Sequence, residues 1–269
     1  MACDAGAVYF IFNMIQLNRR QVVLLPLALG ARGAHASAQP WQIRFLSAGF
    51  SGDAYEGGLL VRMEPGWKTY WRIPGAGGIP PEIKAEGENL ADFSFDCPVP
   101  ARFAGEDGET IGYENEVVFP FRARPRDPAK ALELALSAFV GVCEQICIPV
   151  QSKDRLVFSP QGAPSPDLAL LSAWKARVPR PVSDAIRSAT VAEHEGKPAL
   201  QLALARQADD LFVEGSPMHF YGAPLWRVPG LEAVLSVSGL KSADALKGEP
   251  LRITLAIPSE PVEQQISLS

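Results

Sequence analysis

The stretch Leu132-Glu133-Leu134-Ala135-Leu136-Ser137-Ala138-Phe139-Val140-Gly141 places apolar residues at every second position. It runs directly into Val142-Cys143-Glu144-Gln145-Ile146-Cys147-Ile148-Pro149. Period two is the signature of a strand with one buried face, and Asp154 to Ser159 reads as its antiparallel return. The two cysteines therefore sit where two strands meet at the edge of a sheet. In an extended chain, Cα atoms four residues apart are about 13 Å from each other, beyond disulfide reach, so the pair closes only on a tight turn or one helical turn. Closing so short a loop removes only about 2 kcal/mol of unfolded-state entropy. Such a bridge is a weak staple for 269 residues, and its value lies in reactivity. Cys143 and Cys147 are read as a redox dithiol.

Outward from this hairpin the same period continues. From Trp41 to about Pro160, Ile43 and Phe45 alternate with Gln42 and Arg44, and Leu59, Val61 and Met63 with Leu60 and Arg62. The chain is thus expected to be all-β, with an antiparallel sandwich over 39–162. Ser165-Pro166-Asp167 offers an N-cap, a first-turn proline and an acid ahead of Leu168, Leu171 and Trp174, which predicts a helix at about 166–177 within a linker, 163–180. Short strands return at Ala199 to Ala205, Asp210 to Glu214, Leu231 to Ser238 and Leu251 to Ile257, forming a second, smaller β domain over 181–269.

Residues 1–38 read as a cleaved export signal. Arg19-Arg20 form the positive region, Val22 to Leu29 the apolar run, and Ala34-His35-Ala36 or Ala36-Ser37-Ala38 the cleavage site. The general secretory route fits, and Asn18-Arg19-Arg20-Gln21-Val22 also resembles a twin-arginine signal. Met14 would start a signal of ordinary length, which leaves Cys3 without functional weight. The mature chain is expected near Gln39, in the periplasm, an oxidising compartment where a disulfide persists. No other stretch approaches the ~20 apolar residues of a membrane span. The formal charge of −5 becomes more negative once Arg19, Arg20 and Arg32 leave with Asp4, which argues against nucleic acid as a partner.

Two further segments join the dithiol. Gly66-Trp67-Lys68-Thr69-Tyr70-Trp71-Arg72-Ile73-Pro74-Gly75, continuing to Gly78-Ile79-Pro80-Pro81, is a strand flanked by sharp turns whose aromatics can shield a neighbour from water. Gly112-Tyr113-Glu114-Asn115-Glu116-Val117-Val118-Phe119-Pro120 is the other. In this order and spacing, the three segments resemble the N-terminal periplasmic domain of the thiol:disulfide interchange protein DsbD, over roughly residues 40–160.

The resemblance implies an immunoglobulin-like sandwich whose cysteine pair, Cys143 and Cys147, takes up reducing equivalents and passes them to exported thioredoxin-like proteins. It also implies a shielding loop, which here falls between Pro100 and Tyr113 with Phe103 as the loose candidate. It further makes the second cysteine, Cys147, the one that joins partners. Ile148-Pro149 supports that role by keeping the chain extended and removing a donor. Full-length family members continue into a membrane electron conduit and a thioredoxin-like domain. This chain shows neither, so a separate membrane electron-transfer protein is the expected donor. Cys97, in Asp96-Cys97-Pro98, stands where this branch carries a large aromatic and reads as a buried thiol.

The local chemistry suits an adapter. Glu144 lies between the cysteines and the nearest base in sequence is Lys153, so strong activation is not expected. An inert structural disulfide is a competing reading. A copper-binding module is another, since C-x-x-x-C thiolates are soft ligands and Met218-His219 or His194 offer a further donor. A purely structural interaction domain is a third. His194-Glu195 lacks the second histidine of a zinc-protease helix, and there is no Gly-x-Ser-x-Gly elbow or phosphate loop. No bound cofactor or metal is expected.

Overall fold

The alternating stretch is a strand that ends on the first cysteine, and its return begins on the second. The computed structural model describes residues 39–105, 108–160, 165–240 and 242–268, so the expected leader lies outside the described residues. In chain order the first ten strands are β1 (Trp41–Ser51), β2 (Ala54–Met63), β3 (Lys68–Gly75), β4 (Glu82–Glu86), β5 (Leu90–Phe95), β6 (Ala101–Phe103), β7 (Thr110–Glu114), β8 (Glu116–Pro125), β9 (Leu132–Cys143) and β10 (Cys147–Phe158). One sheet has the order β1-β2-β8-β5, and the facing sheet β10-β9-β3-β7-β6, with β4 also on β9. The fold is all-β and immunoglobulin-like.

Leu132, Leu134, Leu136, Ala138, Val140 and Val142 of β9 all face the core between these sheets, as the alternation requires. On β2 the alternation fails. Leu60, expected to face outward, is 0% exposed, as are its neighbours Leu59 and Val61. The cause is the helix α1 (Leu168–Lys175), which lies against β8 and β1 on the outer face of that sheet. Leu171 comes within 2.9 Å of where a side chain on Gly58 would begin, on the same strand face as Leu60. A strand covered on both faces has no reason to alternate.

The helix begins two residues later than its sequence suggests. Ser165 Oγ accepts from the Asp167 N–H, and Asp167 occupies the cap position without making a side-chain cap bond. Its carboxylate is engaged across the fold, accepting from Arg44 Nη2 at 3.0 Å and from the Ser47 N–H at 3.4 Å. That tether orients α1 on the sandwich.

Beyond α1 come β11 (Arg180–Pro181), β12 (Ile186–His194), β13 (Lys197–Leu204), β14 (Asp210–Glu214), β15 (Phe220–Tyr221), β16 (Leu225–Val228), β17 (Glu232–Ser238), β18 (Pro250–Ala256) and β19 (Val262–Ser267). They make a second pair of sheets, β11-β19-β18-β14 and β12-β13-β17, with β15 and β16 both on β17. Leu200, Leu202, Leu235, Leu251, Ile253 and Leu255 fill the core between them. Strands β12 and β19 go unsignalled in the sequence, because Ile186–His194 and Val262–Ser267 carry mixed polar residues and lie half exposed. On β14, Leu211 and Val213 point into this second core while Phe212 points into the first. Strand β14 is thus the seam between the two sandwiches. No helix among the described residues is long and apolar enough to cross a membrane.

Candidate functional site

The two cysteines face each other directly across the β9/β10 hairpin: Cys143 is in register with Cys147, Val142 with Ile148 and Gly141 with Pro149. The turn between them is Glu144-Gln145-Ile146, so the bend expected from their spacing is tighter than a separate return at Asp154 would give. Opposed residues of an antiparallel pair have Cα atoms about 4.5–5.5 Å apart and side chains on one face. That separation lies within the disulfide range, so a bond can form without backbone rearrangement. Since Val142 and Val140 fill the core, Cys143, Gly141, Cys147 and Pro149 share the opposite face. Both sulfurs are thiols here. Cys143 is 8% exposed and Cys147 half-buried, while Ile146 at the tip is 77% exposed.

Strand β3 places a second row beside them. Lys68 is in register with Cys143 on one side and Glu114 on the other, and Tyr70 with Gly112. Thr69 points inward and its hydroxyl donates to the Gly141 carbonyl at 2.7 Å, locking β3 to β9. Tyr70, one residue on, stands on the outer face with the dithiol. It is only 3% exposed. Its phenol pKa is raised, first by burial, then by hydrogen bonding to Cys143 and Cys147 and by their charge. Tyr70 therefore stays protonated, its phenol beside both sulfurs.

A loop covers this arrangement. Residues 76–81 return over β3, and the Gly141 N–H donates to the Ile79 carbonyl at 3.3 Å. The Tyr70 ring lies against Gly78, where a Cβ would sit 2.4 Å from it, and Gly78 has φ +136°, a conformation open to glycine alone. A side chain at Gly141 would likewise begin 2.8 Å from Ile79 Cβ. The Gly78-Ile79-Pro80-Pro81 segment is thus the lid over Tyr70. Phe103, the shield expected from sequence, sits on β6 at the edge of the same sheet, with Lys68 Nζ 5.8 Å from its ring.

Among the charged groups, Lys153 lies about 20 Å along β10 from Cys147 at ~3.3 Å per residue. The base in register with Cys143 is Lys68, but its ammonium reaches across β3 to β7, donating to Thr110 Oγ1 at 3.0 Å. Sequence distance conceals it, as it conceals Tyr70. Cys97 is buried at the seam, and burial, partly opposed by Arg72, pushes its thiol up to about 12. It is not part of the dithiol site. The candidate copper ligands are spread through the second pair of sheets. His219 Nδ1 pairs with Glu249 Oε2 at 2.8 Å, His194 ends β12, and Met218 is exposed. Among the described residues no group of three or more His, Cys, Asp and Glu could hold a metal ion.

Residues 36–159 match the sequence model of a family described as thiol:disulfide interchange protein DsbD, N-terminal. The match spans the first sandwich and both cysteines of the hairpin. The crystal structure of the N-terminal periplasmic domain of ScsB from Proteus mirabilis resembles this one with a TM-score of 0.66 at 22% identity, covering 86% of this chain and 94% of that chain. At that identity the likeness is one of fold, and its coverage extends past the first sandwich into the second. No curated protein matches the sequence.

Proposed function

We propose, from the membership of residues 36–159 in the DsbD N-terminal family, that the chain is an exported thiol:disulfide exchange module working through Cys143 and Cys147. The observation that carries this reading is the direct cross-strand register of the two cysteines on a face covered by Tyr70 and its lid. A pair so placed opens and closes without disturbing the core.

In the reduced chain the Cys147 thiolate attacks a partner disulfide, and the partner's leaving sulfur departs as a thiolate that takes up a proton. The Cys143 thiolate then attacks Cys147 Sγ, closing the Cys143–Cys147 bond and releasing the partner's second thiol. Two electrons and two protons pass to the partner, and the reverse sequence reloads the dithiol from a donor. Cys147 is the half-buried sulfur beside the exposed Ile146, which suits first contact. Cys143, the more buried of the two, suits resolution. The buried Tyr70 phenol stays protonated beside both sulfurs and keeps that face from water.

The partner class is exported thioredoxin-like proteins, and the donor is a separate membrane electron-transfer protein. The compartment is the periplasm, reached by removal of residues 1–38. Secretion of the full chain should give a mature start within a few residues of Gln39 by intact mass, and retention of residues 19–30 would refute the export reading. Peptide mapping of the secreted protein should then find one Cys143–Cys147 disulfide and a free Cys97, and the reduced protein should reduce an oxidised thioredoxin-like protein. A bridge containing Cys97 would contradict the assignment. Stoichiometric Cu(I) uptake lost in Cys143→Ser, without exchange, would favour copper binding instead.

A further inference from the structure

We infer that the second sandwich is a positioning element of the dithiol site, acting through Arg72 on the strand that carries Tyr70. The inference rests on the exchange reading above and assigns a role to a region that reading leaves idle.

Strand β3 is well laddered only up to Tyr70. It pairs with β9 at Lys68 and Thr69, and with β7 at Lys68, Thr69 and Tyr70. The register against β7 then breaks and resumes at Gly75. Between them, Trp71, Arg72, Ile73 and Pro74 have no rung in either ladder. A strand segment without its ladder is free to shift unless side chains hold it, and here the side chains reach into the second sandwich.

Arg72 Nε donates to both oxygens of Glu214 on β14, at 2.9 and 3.0 Å. Its Nη2 reaches Glu263 Oε2 on β19 at 3.0 Å and Thr254 Oγ1 on β18 at 3.3 Å. The guanidinium also lies 4.3 Å from the Trp71 ring centroid, and that ring meets Phe212 of β14 at 5.4 Å. From the far side, Arg102 of β6 stacks 4.6 Å over Phe212 and donates to Asp210 at 2.9 Å and to the Leu211 carbonyl at 2.6 Å. Three strands of the second sandwich thus grip the stretch immediately after Tyr70, and the lid over Tyr70 departs from the end of that same stretch. The grip is part-buried and bidentate, the geometry in which an arginine–carboxylate contact fixes orientation.

A purely structural seam would set stability alone, whereas a positioning seam also sets how Tyr70 meets the sulfurs. The test is a double-mutant cycle on the full chain, reduced and then alkylated with iodoacetamide. The rate at Cys147 is followed by peptide mass over a range of pH, beside thermal unfolding. Tyr70→Phe should slow alkylation about threefold or more, because it removes the phenol hydroxyl that stands beside the sulfurs. Arg72→Gln should slow it about threefold or more in the parent but add little in the Tyr70→Phe background. Arg72→Lys, which keeps the charge and loses the fork, should fall between parent and Arg72→Gln. Equal slowing by Arg72→Gln in both backgrounds, or no slowing in the parent, would overturn the inference. Should Arg72→Gln fail to fold, Glu263→Gln, which leaves the Glu214 contact intact, takes its place in the same cycle: slowing confined to the parent supports the inference, and equal or absent slowing overturns it. Alkylation needs no partner. A parent chain that alkylates as described but exchanges with no thioredoxin-like protein would count against the exchange reading only.

Discussion

Replacing Gly141 by alanine adds one methyl group between the sheet and the lid, two residues before Cys143. The backbone there lies outside the left-handed region, so alanine adopts it without strain. The new Cβ would sit 2.8 Å from Ile79 Cβ and 3.1 Å from Tyr70 Cδ2 and Cε2. Carbon atoms settle at about 3.5–4.0 Å, so something must move by roughly 1 Å. Strand β9 is clamped by β10, β3 and β4, while the hydrogen bond from the Gly141 N–H to the Ile79 carbonyl is 3.3 Å long. The lid should therefore yield, and Tyr70 with it. Overpacking of this kind costs about 1–3 kcal/mol. At ~2–4 °C per kcal/mol for a chain of this size, the unfolding midpoint should drop by roughly 2–12 °C. The decisive readout is labelling of the reduced protein with a bulky maleimide, resolved by peptide. Gly141→Ala should raise labelling at the buried Cys143 relative to Cys147. An unchanged ratio with a stability loss beyond about 3 kcal/mol would show that the sheet gave way, and the lid assignment would fall.

Two further outcomes follow from other parts of the fold. Leu171→Ala, at a residue 1% exposed, should cost about 2–5 kcal/mol in urea unfolding while leaving the reduced dithiol's alkylation rate unchanged; a cost below about 1 kcal/mol would mean α1 does not seal the outer sheet. Cys97 has its thiol raised from 9.0 to about 12, so its contribution to stability is fully present below pH 9, where both states hold the proton, and is lost as pH rises toward 12 because the unfolded chain ionises first. Tyr70 and Tyr113, raised from 10.0, act in the same direction above pH 10. Cys97→Ala should flatten the fall in stability between pH 9 and 12, and an unchanged profile would refute burial as the cause.

The sandwich is legible in the sequence because β9 obeys one rule along its whole length: Leu132 to Val142 alternate, and the cysteines follow at the strand's end. What alternation does not supply is the environment on the outer face. Tyr70 stands among three aromatics of one motif, and nothing local distinguishes the ring that meets the sulfurs from Trp67, which meets Trp41, or Trp71, which meets Phe212. Strand register decides that. The seam is hidden for the same reason. Arg72 and Arg102 look like solvated charges on strands, and their carboxylate partners lie 142 and 108 residues away at Glu214 and Asp210. Asp167 reads as part of a helix start from its position, yet its carboxylate is held by Arg44 on β1. In each case the polar residue is visible in the sequence and its partner is non-local.

The central claim, exchange through Cys147 with Cys143 resolving, is tested most directly by trapping. Each single mutant, reduced and mixed with an oxidised exported thioredoxin-like protein, is run on a non-reducing gel. Cys143→Ser lacks the resolving thiol, so a covalent complex through Cys147 should accumulate, while Cys147→Ser should trap little because its remaining sulfur is buried. Equal trapping by both would contradict the assignment of roles, and trapping by neither would contradict the exchange function itself.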